Sequence, residues 1–152
     1  MSEARIVDLN AGYDVRALKK NKFVPAGTVV TPGMLLDYDA NGKVIPHAAA
    51  TTHVNAKFAD ADFNEYDGLA ATYGSATDTD DTQIAVLYFS EGLEVNALLA
   101  AGQSVTAGAL LVPAAGGALA AKGETDTPSF IALEAVDNSS GSAPVHIAVE
   151  VI

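Results

Sequence analysis

The side chains that catalysis or ligand binding would have to use are few. There are three histidines, His47, His53 and His146, and the six-residue spacing of the first two does not match the i, i+4 spacing of a helical ligand pair. The run Asp78-Thr79-Asp80-Asp81-Thr82 resembles part of a calcium loop, because hard cations want clustered carboxylates, but it lacks the sharp-turn glycine and the distal glutamate of such a loop. It reads as a solvated hairpin tip. Asp60 and Asp62 form a carboxylate pair of a kind common in so acidic a chain, and general acid–base work would need a cleft around them. Tyr38, Tyr66, Tyr73 and Tyr88 offer rings on which a sugar could stack, although without tryptophan they read better as core or interface residues. Neither a GxSxG elbow nor an SxxK nucleophile occurs, and the glycines lie at hairpins rather than opening a helix around a phosphate. With no cysteine, thiolate chemistry and disulfides are excluded. No enzyme activity, no metal and no cofactor is expected.

Charge is distributed more informatively than catalytic residues are. The 152 residues carry a net charge of -11. Residues 1–22 hold five cations, Arg5, Arg16, Lys19, Lys20 and Lys22, against three acids, for a net of +2; the rest holds three cations against sixteen acids, for -13. An acidic body does not neutralise phosphates, so nucleic acid is not an expected partner. The uncharged stretch 95–121 is interrupted by Asn96, Gln103, Ser104, Thr106, Pro113 and glycines, which fits strands and turns rather than a membrane span. No secretory leader is apparent in the opening MSEARIVDL.

The elements that position these residues are written as an internal repeat. AGTVVTPGMLLDYDANG (26–42) aligns without gaps on AGQSVTAGALLVPAAGG (101–117) with 9 of 17 positions identical. After each copy come two apolar segments at matching spacing: GLAATYG (68–74) and QIAVLYF (83–89), then IALEAVD (131–137) and HIAVEVI (146–152). The connection 48–67 is longer than its counterpart 123–130. Gly33 and Gly108 precede Leu-Leu steps, where positive φ would feed a strand, and Asn41-Gly42 and Gly116-Gly117 read as two-residue hairpin turns. The pattern predicts an all-β domain, a compact β-barrel or β-sandwich built from two repeated hairpin units. Unit one spans 23–90, a connector 91–100 and unit two 101–152. Short connecting helices are expected at 92–100 and 14–20, and residues 1–22 read as an extended N-terminal arm. Within that arm Arg5, Ile6, Val7, Asp8 and Leu9 alternate as a strand does, and Tyr13, Arg16, Lys19, Lys20 and Lys22 complete a candidate partner-binding segment.

Several of these segments resemble the lambda-type head decoration proteins of tailed phages and, more loosely, related capsid cement proteins. The resemblance rests on Gly33-Met34-Leu35-Leu36, the hairpin Asn41-Gly42-Lys43, the alanine-rich stretch Gly68 to Tyr73, and Ala85 to Phe89 running into Glu91 to Asn96. It covers about residues 24–100, and the second unit departs from the smallest members. It implies a compact β domain, often trimeric at local threefold positions of the capsid, whose N-terminal arm touches the major capsid protein. The resulting expectation is a virion structural protein on the outer capsid surface, a homotrimer bridging major capsid protein subunits, with no nucleic acid or membrane partner. A phage tail or baseplate domain that binds host surfaces or carbohydrate is the alternative.

Overall fold

The computed structural model describes residues 17–60, 63–64, 68–69 and 72–152. They form strands β1 (Leu18–Val24), β2 (Leu36–Tyr38), β3 (Val44–Pro46), β4 (Lys57–Ala59), β5 (Phe63–Asn64), β6 (Gly68–Leu69) and β7 (Thr82–Tyr88). The second half gives β8 (Glu94–Leu99), β9 (Ser104–Val105), β10 (Leu110–Pro113), β11 (Leu119–Ala121), β12 (Phe130–Ala132), β13 (Val136–Asp137) and β14 (Val145–Val151). The chain is all-β as expected, and one 3-10 turn, Ala115–Gly117, is the only helical element among the described residues.

The expected connecting helices are not formed. Residues 94–99 are β8, and 18–20 begin β1. Leu93, Leu98 and Leu99 imitate helical spacing because β8 is buried on both faces, which erases the period of two that marks a half-exposed strand. The turn at Asn41-Gly42 also differs in type. A two-residue I′ turn needs positive φ at both central positions, yet only Gly42 (φ 76°) has it, and no non-glycine residue described does. Asp39 organises the turn instead, its carboxylate accepting from the N–H groups of Asn41 (2.8 Å) and Lys43 (2.9 Å).

The two halves are copies in topology and register. β1 pairs antiparallel with β7 as β8 does with β14, so that Lys20 opposite Val86 corresponds to Val95 opposite Val149. β4 pairs with β7 as β12 does with β14, with Lys57 opposite Tyr88 matching Phe130 opposite Val151. The β2–β3 hairpin repeats in β10–β11, and the Val30–Tyr73 bridge becomes the β9–β13 pair. Single hydrogen bonds recur too: Gly33 N–H to Ala59 C=O (3.0 Å) is matched by Gly108 N–H to Ala132 C=O (2.7 Å). Unit one therefore begins with β1, inside the segment read as an arm, and unit two begins with β8, inside the stretch read as a connector.

One seam distinguishes the units. In unit two, β11 runs parallel to β8 and the Ala100 N–H donates to the Leu119 carbonyl (2.8 Å), closing the five-stranded barrel β10-β11-β8-β14-β12. Pro25 stands at the position of Ala100 and has no N–H to donate. Unit one accordingly remains a β1-β7-β4 sheet and a separate β2-β3 hairpin, joined through the Leu35–Phe58 bridge.

Two apolar clusters hold the molecule together. Val24, Val30, Leu36, Val44, Ala59, Tyr73, Ile84 and Val86 fill unit one. The larger cluster fills the unit-two barrel with Val95, Leu99, Leu111, Leu119, Phe130, Ile147 and Val149, and it recruits Leu35, Ala56, Phe58, Leu87 and Phe89 from the outer face of unit one. Phe58 meets Phe89 and Phe130 edge-on, each at 5.7 Å between ring centres, so unit one seals the end of the second barrel. Across the same contact the Leu35 N–H donates to the Gly117 carbonyl (2.9 Å).

Candidate functional site

Of the candidate partner-binding residues, Arg5, Ile6, Val7, Asp8, Leu9, Tyr13 and Arg16 lie outside the described residues. Lys19, Lys20 and Lys22 lie on β1, whose seven residues all pair with β7. Alternation along the strand divides them: Lys20 and Lys22 share a face with buried Val24, and Lys19 shares the other with Asn21 and Phe23. Lys19 forms an ion pair with the buried Asp60 carboxylate at 2.8 Å.

Lys20 and Lys22 point toward the end of unit one and meet aromatic rings there. The Lys20 ammonium lies 5.6 Å from the centre of the Tyr88 ring, and Lys22 lies 5.5 Å from that of Tyr38. Lys57, a buried residue of β4, approaches the same Tyr38 ring at 5.0 Å. The two phenol oxygens are 2.5 Å apart. Burial, followed by this hydrogen bond, pushes the Tyr88 phenol above the ordinary phenolic range, so that ring stays neutral at physiological pH. No carboxylate forms an ion pair with Lys20, Lys22 or Lys57 among the described residues. Three ammonium groups and two phenols thus converge as a donor-rich mouth suited to carboxylate or another anion.

The register of the repeat shows how unusual this mouth is. Lys20, Lys22, Lys57, Tyr38 and Tyr88 occupy the positions of Val95, Ala97, Phe130, Pro113 and Val151, all buried in unit two. The end that is apolar and sealed in the second unit is cationic and aromatic in the first. Lys57 escaped the sequence reading; aligning β4 on β12, where Lys57 falls on Phe130, is the signal that would have found it. Tyr38 and Tyr88 were read from sequence as core or interface rings, but their pairing depends on β2 and β7 meeting in three dimensions.

The remaining candidates have structural partners. The acidic run is a turn: Asp78 accepts from the Ser75 N–H (2.8 Å), while Asp81 accepts from the Ala26 N–H (3.1 Å) and pairs with Lys43 (2.7 Å). His53 Nε2 contacts the Ile152 carbonyl (2.8 Å), His47 Nδ1 contacts the Ala48 carbonyl, and His146 borders Gly33. Tyr73 is a core residue whose hydroxyl donates to the Asp60 carbonyl (3.0 Å). Asp62 and Tyr66 lie outside the described residues. No group of three or more histidine or carboxylate side chains arranged to hold a metal occurs among the described residues.

Comparison with known proteins gives a structural likeness. No protein-family model and no curated protein matches the chain. Among solved structures, the fold is similar to the N base of the head fiber gp8.5 of bacteriophage phi29, with a TM-score of 0.54 and 16% identity over 89% of this chain and 95% of that one. At that identity the likeness establishes a shared fold.

Proposed function

We propose that this chain is a non-catalytic virion structural protein that decorates the outer surface of a phage capsid and stabilises it by bridging major capsid protein subunits. The observation that carries the reading is the likeness to the N base of a phage head fiber, which takes in nearly the whole of both chains. The distribution of charge agrees with it: an acidic body facing solvent resists adhesion to DNA.

In this reading residues 1–16 lead from the docked partner into β1, and Arg5 to Leu9 add as a strand to an exposed edge of the capsid protein. Main-chain hydrogen bonds supply affinity and alternate side chains supply register. Ordering about ten residues costs on the order of 10–20 kcal/mol of backbone entropy, so a single arm binds modestly and several arms on a homotrimer bind through avidity.

Deleting residues 2–12 is expected to leave a folded protein that no longer binds expanded capsids lacking it. Undiminished, saturable binding by the truncated protein would exclude the arm. A tail or baseplate domain predicts no saturable capsid binding by the intact protein either.

A further inference from the structure

We infer that copies of this chain associate head to tail, with unit two of one copy docking on the cationic mouth of unit one of the next and repeating the contact that joins the units within a chain. The inference rests on the reading of the chain as an oligomeric structural protein, and it is independent of what that oligomer binds.

Inside the chain, the contact has a docking face on unit one and a receiving end on unit two. Both are closed. Leu35 on the docking face is fully buried, a Cβ on Gly33 would stand 3.0 Å from the Asn96 carbonyl, and one on Gly117 would stand 2.8 Å from that of Leu35. The symmetry-related surfaces are open. Leu110, at the position of Leu35, is 39% exposed, and Cβ atoms on Gly108 or Gly42 would meet nothing within 4 Å. Phe23 is 52% exposed although its counterpart Leu98, opposite His146 in the β8–β14 ladder, is only 6% exposed. Each copy therefore has one unused docking face, on unit two, and one unused receiving end, on unit one.

The two unused surfaces carry opposite charge at positions that are apolar in the closed contact. At the receiving end, Lys20 and Lys57 replace Val95 and Phe130. On the docking face, Glu150 replaces Leu87 and stands directly opposite Glu94 in the β8–β14 ladder. Like charges directly opposite each other destabilise an antiparallel pair. Three ammonium groups held close together with no carboxylate among the described residues to offset them likewise repel one another. Docking relieves both, and Leu110 and Leu133 on one side with Phe23 on the other supply apolar surface. Because the two surfaces differ, the contact is heterologous, and it builds a closed ring when its rotation closes.

The test uses the full chain and analytical ultracentrifugation at tens of micromolar. The parent protein is expected to sediment as a discrete oligomer larger than a dimer. E150K alone and K20E/K22E alone are expected to be folded by circular dichroism and monomeric, with association weakened more than tenfold. Mixed in equal amounts they should associate again, since E150K retains an intact receiving end and K20E/K22E an intact docking face, and the two charge reversals are complementary to each other. If K20E/K22E does not fold, F23D, at an exposed position on the other face of β1, takes its place. A monomeric parent protein would overturn the inference and leave the segment before Ala17 or a capsid subunit as the occupant of the mouth. Variants that assemble like the parent, or a mixture that stays monomeric, would overturn it equally. Capsid binding is scored separately, so loss of decoration by an oligomer that still forms would count against the proposed function alone.

Discussion

Gly33 and Gly108 provide a paired test of how the units are joined. Both have φ of 88° and both donate to the corresponding carbonyl of the next strand, so alanine at either position incurs the same left-handed strain of about 1–2 kcal/mol. They differ in surroundings. At Gly33 the new methyl would stand 3.0 Å from the Asn96 carbonyl oxygen and 3.1 Å from His146 Cε1, and the backbone oxygen belongs to a paired strand that cannot retreat alone; at Gly108 it would meet nothing within 4 Å. Overpacking of a fitted contact costs about 1–3 kcal/mol. Gly33→Ala should therefore destabilise the chain by about 2–5 kcal/mol and Gly108→Ala by about 1–2 kcal/mol. Urea unfolding followed by far-UV circular dichroism measures both, in the E150K background so that association does not contribute, with an unchanged slope licensing the comparison. Equal losses of stability would refute the claim that unit one is seated on β8 and β14. In the associating parent, Gly108→Ala should in addition weaken assembly.

Other expectations follow from the core, the seam and the titrating groups. Phe58→Ala should cost about 3–5 kcal/mol in urea unfolding, because the ring is fully buried between Phe89 and Phe130, and Phe23→Ala in the monomeric background should stay within about 0.5 kcal/mol of its parent. Ala100→Pro removes the Ala100 to Leu119 hydrogen bond and orphans its acceptor, a loss of about 1–3 kcal/mol before any ring clash; Pro25→Ala should lose far less, and hydrogen exchange at β11 should report the opened seam. The raised Tyr88 pKa contributes stability that is fully present below the unfolded phenolic value near 10 and is lost as pH rises beyond it, so Tyr88→Phe should flatten the alkaline fall in melting temperature. Asp81, held below 3.8 chiefly by its hydrogen bond to Lys43, contributes stability above that value that is lost as pH falls through its folded pKa; an acid melting series should be shallower for Asp81→Asn.

What could be read from the sequence, and what could not, divides along a physical line. Turn chemistry is local, so the gapless repeat, the positive φ at Gly33 and Gly108 and the all-β class were visible in residue order. The first strand of each unit was not. LKKNKFV and its counterpart LEVNALL share only the leucine and the asparagine, because β1 turns lysines toward an open mouth whereas β8 is packed on both sides. One therefore looks like a charged appendage and the other like a helix, although they occupy the same place in the same fold. A strand's pattern records its surroundings as much as its conformation.

That principle also explains where the two units have diverged. If residues differed simply because one unit were more soluble than the other, the differences would be spread over both surfaces. Instead the interior positions agree in character, with Ile84 and Val86 matching Ile147 and Val149, and the sealed contact is apolar on both sides, with Phe58 against Phe130. On the two surfaces that the contact inside the chain leaves unused, the charged residues differ in sign: lysines at the mouth of unit one, and Glu94 and Glu150 on the face of unit two. A solvated surface gains nothing from sorting its charges by sign, since mixed signs serve solubility better and screen one another. Sorting is what recognition between unlike faces requires, because it rewards the correct pairing and penalises docking of either face on itself. The apolar contact inside the chain and the charged one between chains are then the same geometry under different demands: the first is made once at folding, and the second must find its partner in solution.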